Sequence, residues 1–400
     1  MLNFGKRFSN FCFLQNNDYQ ASGRFDVLAA AGSVTNIYTL KDPHLSLAPS
    51  DWIFGHVSYD YKNELENLRT TSADPIGFPI VHFFIPEYVF IFSGNDVQIG
   101  TLNGSHDEIY KAVIACNNVA NNIEMPSWQS RLSEMEYIDA VRKLQQHIGR
   151  GDCYEICFCQ EFLAEQITID PAATFIKLND LSPNPFAAFY KNDDKYLVGA
   201  SPERFLQKMA DEIISQPIKG TAKRSHGSEE ELQIQQFLSD EKERAENIMI
   251  VDLVRNDLSK ICLEGSVHVK ELLGIYSFPQ VHQLISTVAG KLPAQITLLD
   301  IFQACFPMGS MTGAPKISAM KLIDAYEQTA RGLYSGTVGY IDPDGNFDFN
   351  VIIRSILYNE SKRYVSVQAG SAITAKSVPE LELEECYIKI AAMKAAVTPP

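Results

Sequence analysis

The stretch GASPERFLQKMADEIISQPIKGTAKR, residues 199–224, constrains this chain most. Two segments of strand character flank a polar turn at Ala210, Asp211 and Glu212. Glu203 lies on one arm and Lys219 on the other, and proline and glycine stand close to the charged residue on both arms. Side chains alternate between the faces of a sheet, so the turn decides how the two residues relate. A three-residue loop sets Glu203 opposite Lys219, whereas a two-residue loop puts them on opposite faces. An acid and an amine facing each other in this way can act as proton donor and nucleophile. The same two residues also read as a surface ion pair on a hairpin.

With 400 residues, 46% of them hydrophobic and 21% charged, the chain can bury a large core, as one big domain or two ordinary ones. Its net charge of -15 and the lack of a local basic patch argue against nucleic acid as a partner. A site for an anionic substrate must then supply its own local cations. The most apolar stretch, residues 80–92, is interrupted by His82, Pro86 and Glu87, so no membrane span is expected. The N-terminal MLNFGKRFSN lacks a signal-peptide core. Eight cysteines do not make a secreted framework at this length, and the expected location is the reducing cytoplasm.

Residues 1–122 read as a strand-rich part packed on the rest, and residues 123–400 as the main domain. The seam is marked by Asn117, Asn118, Asn121, Asn122 and Pro126. Strands are expected over 52–61 and, separated at Pro86, over 80–92. Ser133 and Glu136 form a capping box for a helix to Ile148, ended by Gly149 and Gly151. In a strand over 153–162, Cys153, Glu155, Cys157 and Cys159 share one face. That face could hold zinc or simply pack as small thiols. A helical stretch is expected over 228–261, and a glycine loop at 309–316 runs into another helix, where exposed N–H groups favour an anion.

Three charges sit in apolar surroundings. Glu246 falls on a stripe with Met249, Ile250 and Leu253, where an unpaired charge is costly. Strands are expected over 334–341 and 347–358. Arg354 lies within the apolar run of the second and needs an anion, either a structural carboxylate or one on a substrate. A last helix is expected to open on a capping box at Ser377 and Glu380, with a buried stripe of Leu381, Ile388, Ala392 and Ala395 that includes Glu385. Lys389 follows one turn later. Oxygen ligands of this kind suit magnesium.

These motifs resemble the chorismate-utilising enzymes. The resemblance covers about residues 133–394. It is carried by GDCYEICFCQEF (151–162), SPERF (201–205), PIKGT (217–221), ENIMIVDLVRNDLSKIC (246–262), FPMGSMTGAPK (306–316), GTVGY (336–340), the Arg354 run and ELELEECYIK (380–389). FGHVSYD (54–60) matches more loosely. The resemblance implies an α+β fold, a large α/β sandwich of two packed antiparallel sheets with outer helices, as in anthranilate synthase component I. It makes residues 123–400 the chorismate-binding catalytic domain. It assigns Glu246 and Glu385 to Mg2+, Arg354 and Tyr340 to a chorismate carboxylate, and Glu203 to the general acid at the C4 hydroxyl. Thr221, Thr312, Gly220, Gly370 and Lys389 fall to the substrate site.

Lys219 selects the reaction: PIKGT resembles the aminodeoxychorismate branch, where anthranilate synthases usually read PIAGT. Lys219 would add at ring C2 as the C4 hydroxyl leaves. Ammonia would then add at C4, giving 4-amino-4-deoxychorismate on the way to p-aminobenzoate and folate. That chemistry needs a neutral amine and hence a lowered Lys219 pKa. The resemblance further implies ammonia from a separate glutamine amidotransferase subunit. Anthranilate synthase component I, and a catalytically weak subunit that docks a glutaminase, are the competing assignments. Three departures stand out: Gln283 for a usual His, Glu155 for a usual Gln, and Ser371 with Ala372 in a usual glycine run.

Overall fold

Burial along the strand Glu155–Ala164 defines the layers. Cys157, Cys159 and Leu163 enter one hydrophobic cluster, and Ile156, Phe158 and Phe162 enter another. The first cluster lies between two sheets. The second joins one of those sheets to the helices Glu134–Arg150, Pro171–Leu181 and Pro379–Val397. Cys153 precedes the strand and packs into the helix-side cluster, so it does not share the face of Glu155, Cys157 and Cys159.

The computed structural model describes all residues except 20–24, 48–49, 117–123, 225–229, 279–280 and 399–400. Among the described residues one sheet has 11 strands and the other 10, and the strand pairs are antiparallel. The larger sheet places Glu155–Ala164 beside Tyr364–Ile373, then Ser355–Asn359, Lys195–Ser201 and Phe186–Asn192. The smaller begins with Ile218–Lys223 at its edge, beside Val281–Lys291, then Glu212–Gln216, Arg204–Met209 and Phe347–Asn350. This is the sandwich implied by the resemblance. Strands from the first 122 residues extend both sheets. Val81–Ile85 enters the smaller and Tyr88–Ser93 the larger, with Pro86 at the break between them. The asparagines of the expected seam lie outside the described residues, as does Ser228. Among the described residues no helix is long and apolar enough to cross a membrane.

Two expected strands are divided between the sheets. Residues 347–358 form Phe347–Asn350 in the smaller sheet and Ser355–Asn359 in the larger, so Arg354 stands on a crossover rather than mid-strand. Likewise Lys195–Ser201 and Arg204–Met209 belong to different sheets, with Glu203 between them. The two crossovers are tied together. Val351 N–H donates to the Glu203 carbonyl (2.9 Å), Ala200 N–H to the Arg354 carbonyl (3.1 Å), and the Ser201 hydroxyl to the Val351 carbonyl (2.6 Å).

The helical stretch over 228–261 is two helices, Glu230–Ser239 and Glu241–Ser259. It breaks where the Asp240 side chain caps the second. The last helix has its buried face at Leu383, Cys386, Ile390 and Met393, while Leu381 and Ile388 are exposed. Its expected capping box is absent, because the Ser377 hydroxyl accepts from Thr374 N–H instead.

His56 and His82 are buried, and a ring nitrogen of each lies within hydrogen-bond distance of the Tyr190 hydroxyl (3.0 and 2.6 Å). Burial, and for His56 also its neighbour His82, lowers their pKa values to about 3 and about 4. Both are therefore neutral in the fold. The unfolded chain binds protons at these positions once pH falls below about 6.5, so their stabilising contribution is lost between there and about 4. Urea midpoints should decline over that range, and His56→Gln should decline less steeply than the wild type. Equal slopes would contradict the assignment.

Candidate active site

The turn of the central hairpin has two residues: Met209 pairs with Glu212 and Lys208 with Ile213. By itself this would turn Glu203 and Lys219 to opposite faces. A β-bulge between Arg204 and Gln207 inserts one residue, and Arg204 then pairs with Gln216. The bulge reverses the alternation and returns the two side chains to one side. Lys219 lies past a break at Pro217, on the edge strand Ile218–Lys223, which pairs with Val281–Lys291.

Lys219 does not pair with Glu203. Its Nζ donates to Glu155 Oε1 at 2.6 Å, across the gap between the edge of the smaller sheet and the strand Glu155–Ala164. Both side chains are nearly buried, 10% and 2% exposed. Burial alone would lower the lysine pKa, but the carboxylate of Glu155, with Cys157 and Glu246, outweighs it and the net shift is upward. The sequence reading asked for a lowered value, and the ion pair with Glu155 overturns it in this state.

Glu203 is buried, and burial raises its pKa to about 7 against the opposing effects of the Ser310 hydroxyl, the Lys219 ammonium and the Ile218 N–H. At neutral pH a large share of this carboxyl is protonated. Glu246 is likewise raised to about 7, by burial first, with Lys219 opposing. Its Oε1 is buried without a hydrogen-bond partner. Lys242 approaches that oxygen at 3.8 Å from a mostly exposed position. One turn earlier on the same helix, Glu243 interacts electrostatically with both Glu385 and Lys219. Glu243 escaped the sequence reading, although its position three residues before Glu246 puts it on the same helix face.

Glu385 is half-exposed rather than on a buried stripe, and it pairs with Lys389 at 2.6 Å. Lys389 also donates to the Gly370 carbonyl at 2.7 Å. The Arg354 guanidinium donates to the Lys389 carbonyl (3.3 Å) and makes no ion pair among the described residues. Burial lowers its pKa, while Tyr334 and Glu385 act in the opposite direction. Glu243 interacts with Glu385 on the last helix and shares a helix face with Glu246, and carboxylate oxygens are the donor type that magnesium takes. Among the described residues no three metal-ligating side chains close into a cage, and magnesium that keeps waters and shares a substrate needs none.

Several assigned residues serve other ends. Tyr340 packs against Phe25, Trp52 and Phe54. The tyrosine that interacts with Arg354 is Tyr334, in a turn before the strand Thr337–Ile341. The Thr312 hydroxyl bonds the Met308 and Gly309 carbonyls within its own loop. Thr221 is exposed and pairs in register with Gln283, whose Oε1 is buried without a partner. Gly220 has φ +95°, and a Cβ there would lie 2.8 Å from Glu243 Oε2, so glycine lets the helix Glu241–Ser259 approach this strand. A Cβ on Gly370 would meet Cys159 Sγ at 2.4 Å and the Phe158 carbonyl at 2.5 Å, so the neighbouring strand requires glycine there. Ser371 points to the helix layer, its hydroxyl 3.3 Å from that of Tyr137. Lys316 is held by Asp257 (2.5 Å) and is not free to bind an anion.

The chain matches the model of a family described as chorismate binding enzyme over residues 13–395. It is 34% identical to aminodeoxychorismate synthase component 1 of Klebsiella aerogenes, covering 89% of this chain and 78% of that protein. It is 32% identical to anthranilate synthase component 1 of Aquifex aeolicus (strain VF5), covering 90% and 80%. Anthranilate synthase component I from Streptococcus pneumoniae TIGR4 superposes with a TM-score of 0.78 at 27% identity, covering 92% of this chain and 91% of that one.

The glycine packing gives a stability test. Gly370→Ala should cost about 1–3 kcal/mol through overpacking against backbone, and Ser371→Ala about 1 kcal/mol or less. Urea titration of both variants checks this, and equal losses would contradict the assignment of the two faces.

Proposed function

The chain belongs to the chorismate-binding enzymes, and we propose that within this family it aminates chorismate at C4 to give 4-amino-4-deoxychorismate. The observation that carries the reading is a nucleophilic lysine and a half-protonated buried carboxyl on one side of the sheet. Lys219 is the amine, and Glu203, raised to about 7, is the acid. A reaction that only removed the C4 hydroxyl would need the acid alone.

Arg354, partly buried and without an ion pair among the described residues, is suited to a substrate carboxylate. Glu246 and Glu385, with Glu243 beside them, would hold Mg2+, which when bound supplies positive charge against the substrate carboxylates. Glu203 donates its proton to the departing C4 hydroxyl as the Lys219 amine forms a bond to C2. Ammonia then adds at C4 and the C2–N bond breaks, freeing Lys219. The ammonia would come from a separate glutamine amidotransferase subunit, and the product would serve p-aminobenzoate and folate synthesis in the cytoplasm. These last assignments rest on the resemblance to component 1 proteins.

Purified protein given chorismate, magnesium and an ammonium salt should form aminodeoxychorismate. Anthranilate as the product would refute the reading. Lys219→Ala should leave chorismate binding within about threefold and lower turnover by about a hundredfold or more. Glu203 works protonated, so kcat should fall as pH rises through about 7. Glu203→Gln should lower kcat by about a hundredfold and abolish that alkaline limb, and a persistent limb would assign the acid elsewhere.

A further inference from the structure

We infer that Glu155 is the base that takes the proton from the Lys219 ammonium before the lysine attacks, and returns it when the lysine is released. The inference rests on the amination reading. Lys219 must present a lone pair, yet in this structure it is held as an ammonium.

Glu155 touches the proton to be removed, with Oε1 2.6 Å from Nζ. Its other oxygen, Oε2, is buried and has no hydrogen-bond partner. The carboxyl therefore has an unused site at which a proton can reside. Other charged groups face the pair from each element packed around it. Cys157 lies on the strand of Glu155, Glu243 and Glu246 on the helix Glu241–Ser259, and Glu203 on the crossover. Lys389 and Arg331 reach the pair through Cys157. None of these replaces Glu155: Glu246 lies beyond ion-pair distance of Lys219, and Glu203 is occupied as the acid.

Burial makes the transfer feasible. Two opposite charges in a dry site are stabilised by mutual attraction but have lost their hydration, while the neutral pair loses little on drying. Substrate entering above Lys219 removes the remaining water and brings the neutral pair closer in energy. Moving one proton along the existing hydrogen bond gives an amine and a carboxylic acid with no change in total charge.

The protons balance. Glu155 gains one from Lys219. The amine bonds C2, the C1–C2 double bond shifts to C1–C6, the C5–C6 double bond shifts to C4–C5, and the C4–O bond breaks, with hydroxide leaving as water on the Glu203 proton. Ammonia bonds C4, both double bonds shift back to C5–C6 and C1–C2, and the C2–N bond breaks to release a neutral amine. Glu155 returns its proton to that amine, and Glu203 recovers one from the product ammonium.

Two measurements test this on the full chain, with Glu155→Gln and the charge-retaining Glu155→Asp. Trace acetylation with acetic anhydride, read at Lys219 by peptide mass mapping across pH, reports the amine without turnover. The midpoint should fall by about one pH unit or more in Glu155→Gln and stay near wild type in Glu155→Asp. Amination with an ammonium salt should show kcat lowered about tenfold or more in Glu155→Gln, with KM for chorismate within about threefold, and partial recovery in Glu155→Asp. An unmoved midpoint would overturn the pairing. A lowered midpoint with unchanged kcat would overturn the base role. Wild-type protein that forms no aminodeoxychorismate would refute the amination reading and the base role with it, while the acetylation midpoint still judges the pairing separately. Should Glu155→Gln not fold, Glu155→Asp decides by kcat: a loss with wild-type KM supports the base, and a matching loss of binding overturns it.

Discussion

The site depends on the chain having to pass between two sheets. A strand cannot continue from one sheet into another without giving up ladder hydrogen bonds at the step. Here two such steps lie side by side, and each satisfies the other through the bonds joining Ala200, Ser201 and Glu203 to Val351 and Arg354. Backbone that would otherwise be a buried liability becomes a rigid brace. Both residues whose charge is hardest to bury, Glu203 and Arg354, project from it. Arg354 adopts φ +52°, a conformation an ordinary residue keeps only when its surroundings fix it. The acid and the arginine thus both stand where the chain leaves one sheet for the other.

Electrostatics then divides the site. Four carboxyls, Glu155, Glu203, Glu243 and Glu246, interact with Lys219. Arg354 interacts with Tyr334 and Glu385, and Lys389 pairs with Glu385. A chain of net charge -15 repels an anion at long range. An anionic substrate therefore needs these local cations. The raised values of Glu203 and Glu246 share one cause, burial, yet the roles differ. Glu203 keeps its raised value against a hydroxyl and an N–H that donate to its carboxylate, while Glu246 keeps a buried oxygen unpartnered.

Much of this was legible in the sequence, and the misses have physical reasons. The sandwich was implied by the resemblance those motifs carry, and Glu203 and Lys219 stood out by the proline and glycine beside them on the two arms. The hairpin parity did not, because a bulge leaves no mark in a pattern of period two beyond one displaced residue. Residues 347–358 read as one strand because an apolar run does not reveal a change of sheet. Leu381 and Ile388 misled because apolar side chains can stay exposed, and the helix turns Cys386 and Ile390 inward instead. Tyr334, which interacts with Arg354, was missed, since a turn residue carries no periodicity to orient it.

The departures from the family pattern sort by the face each side chain takes. Ser371 faces the helices and bonds Tyr137, so its hydroxyl is spent away from the chemistry. Gln283 lies opposite Thr221 and keeps a buried oxygen without a partner, which a donor on substrate could satisfy. Glu155 faces inward and binds the lysine directly. Replacing an amide by a carboxylate there changes no shape but adds a charge and a proton acceptor at the atom that must lose a proton. A residue in that position alters how readily the amine becomes nucleophilic before it alters how tightly substrate is held.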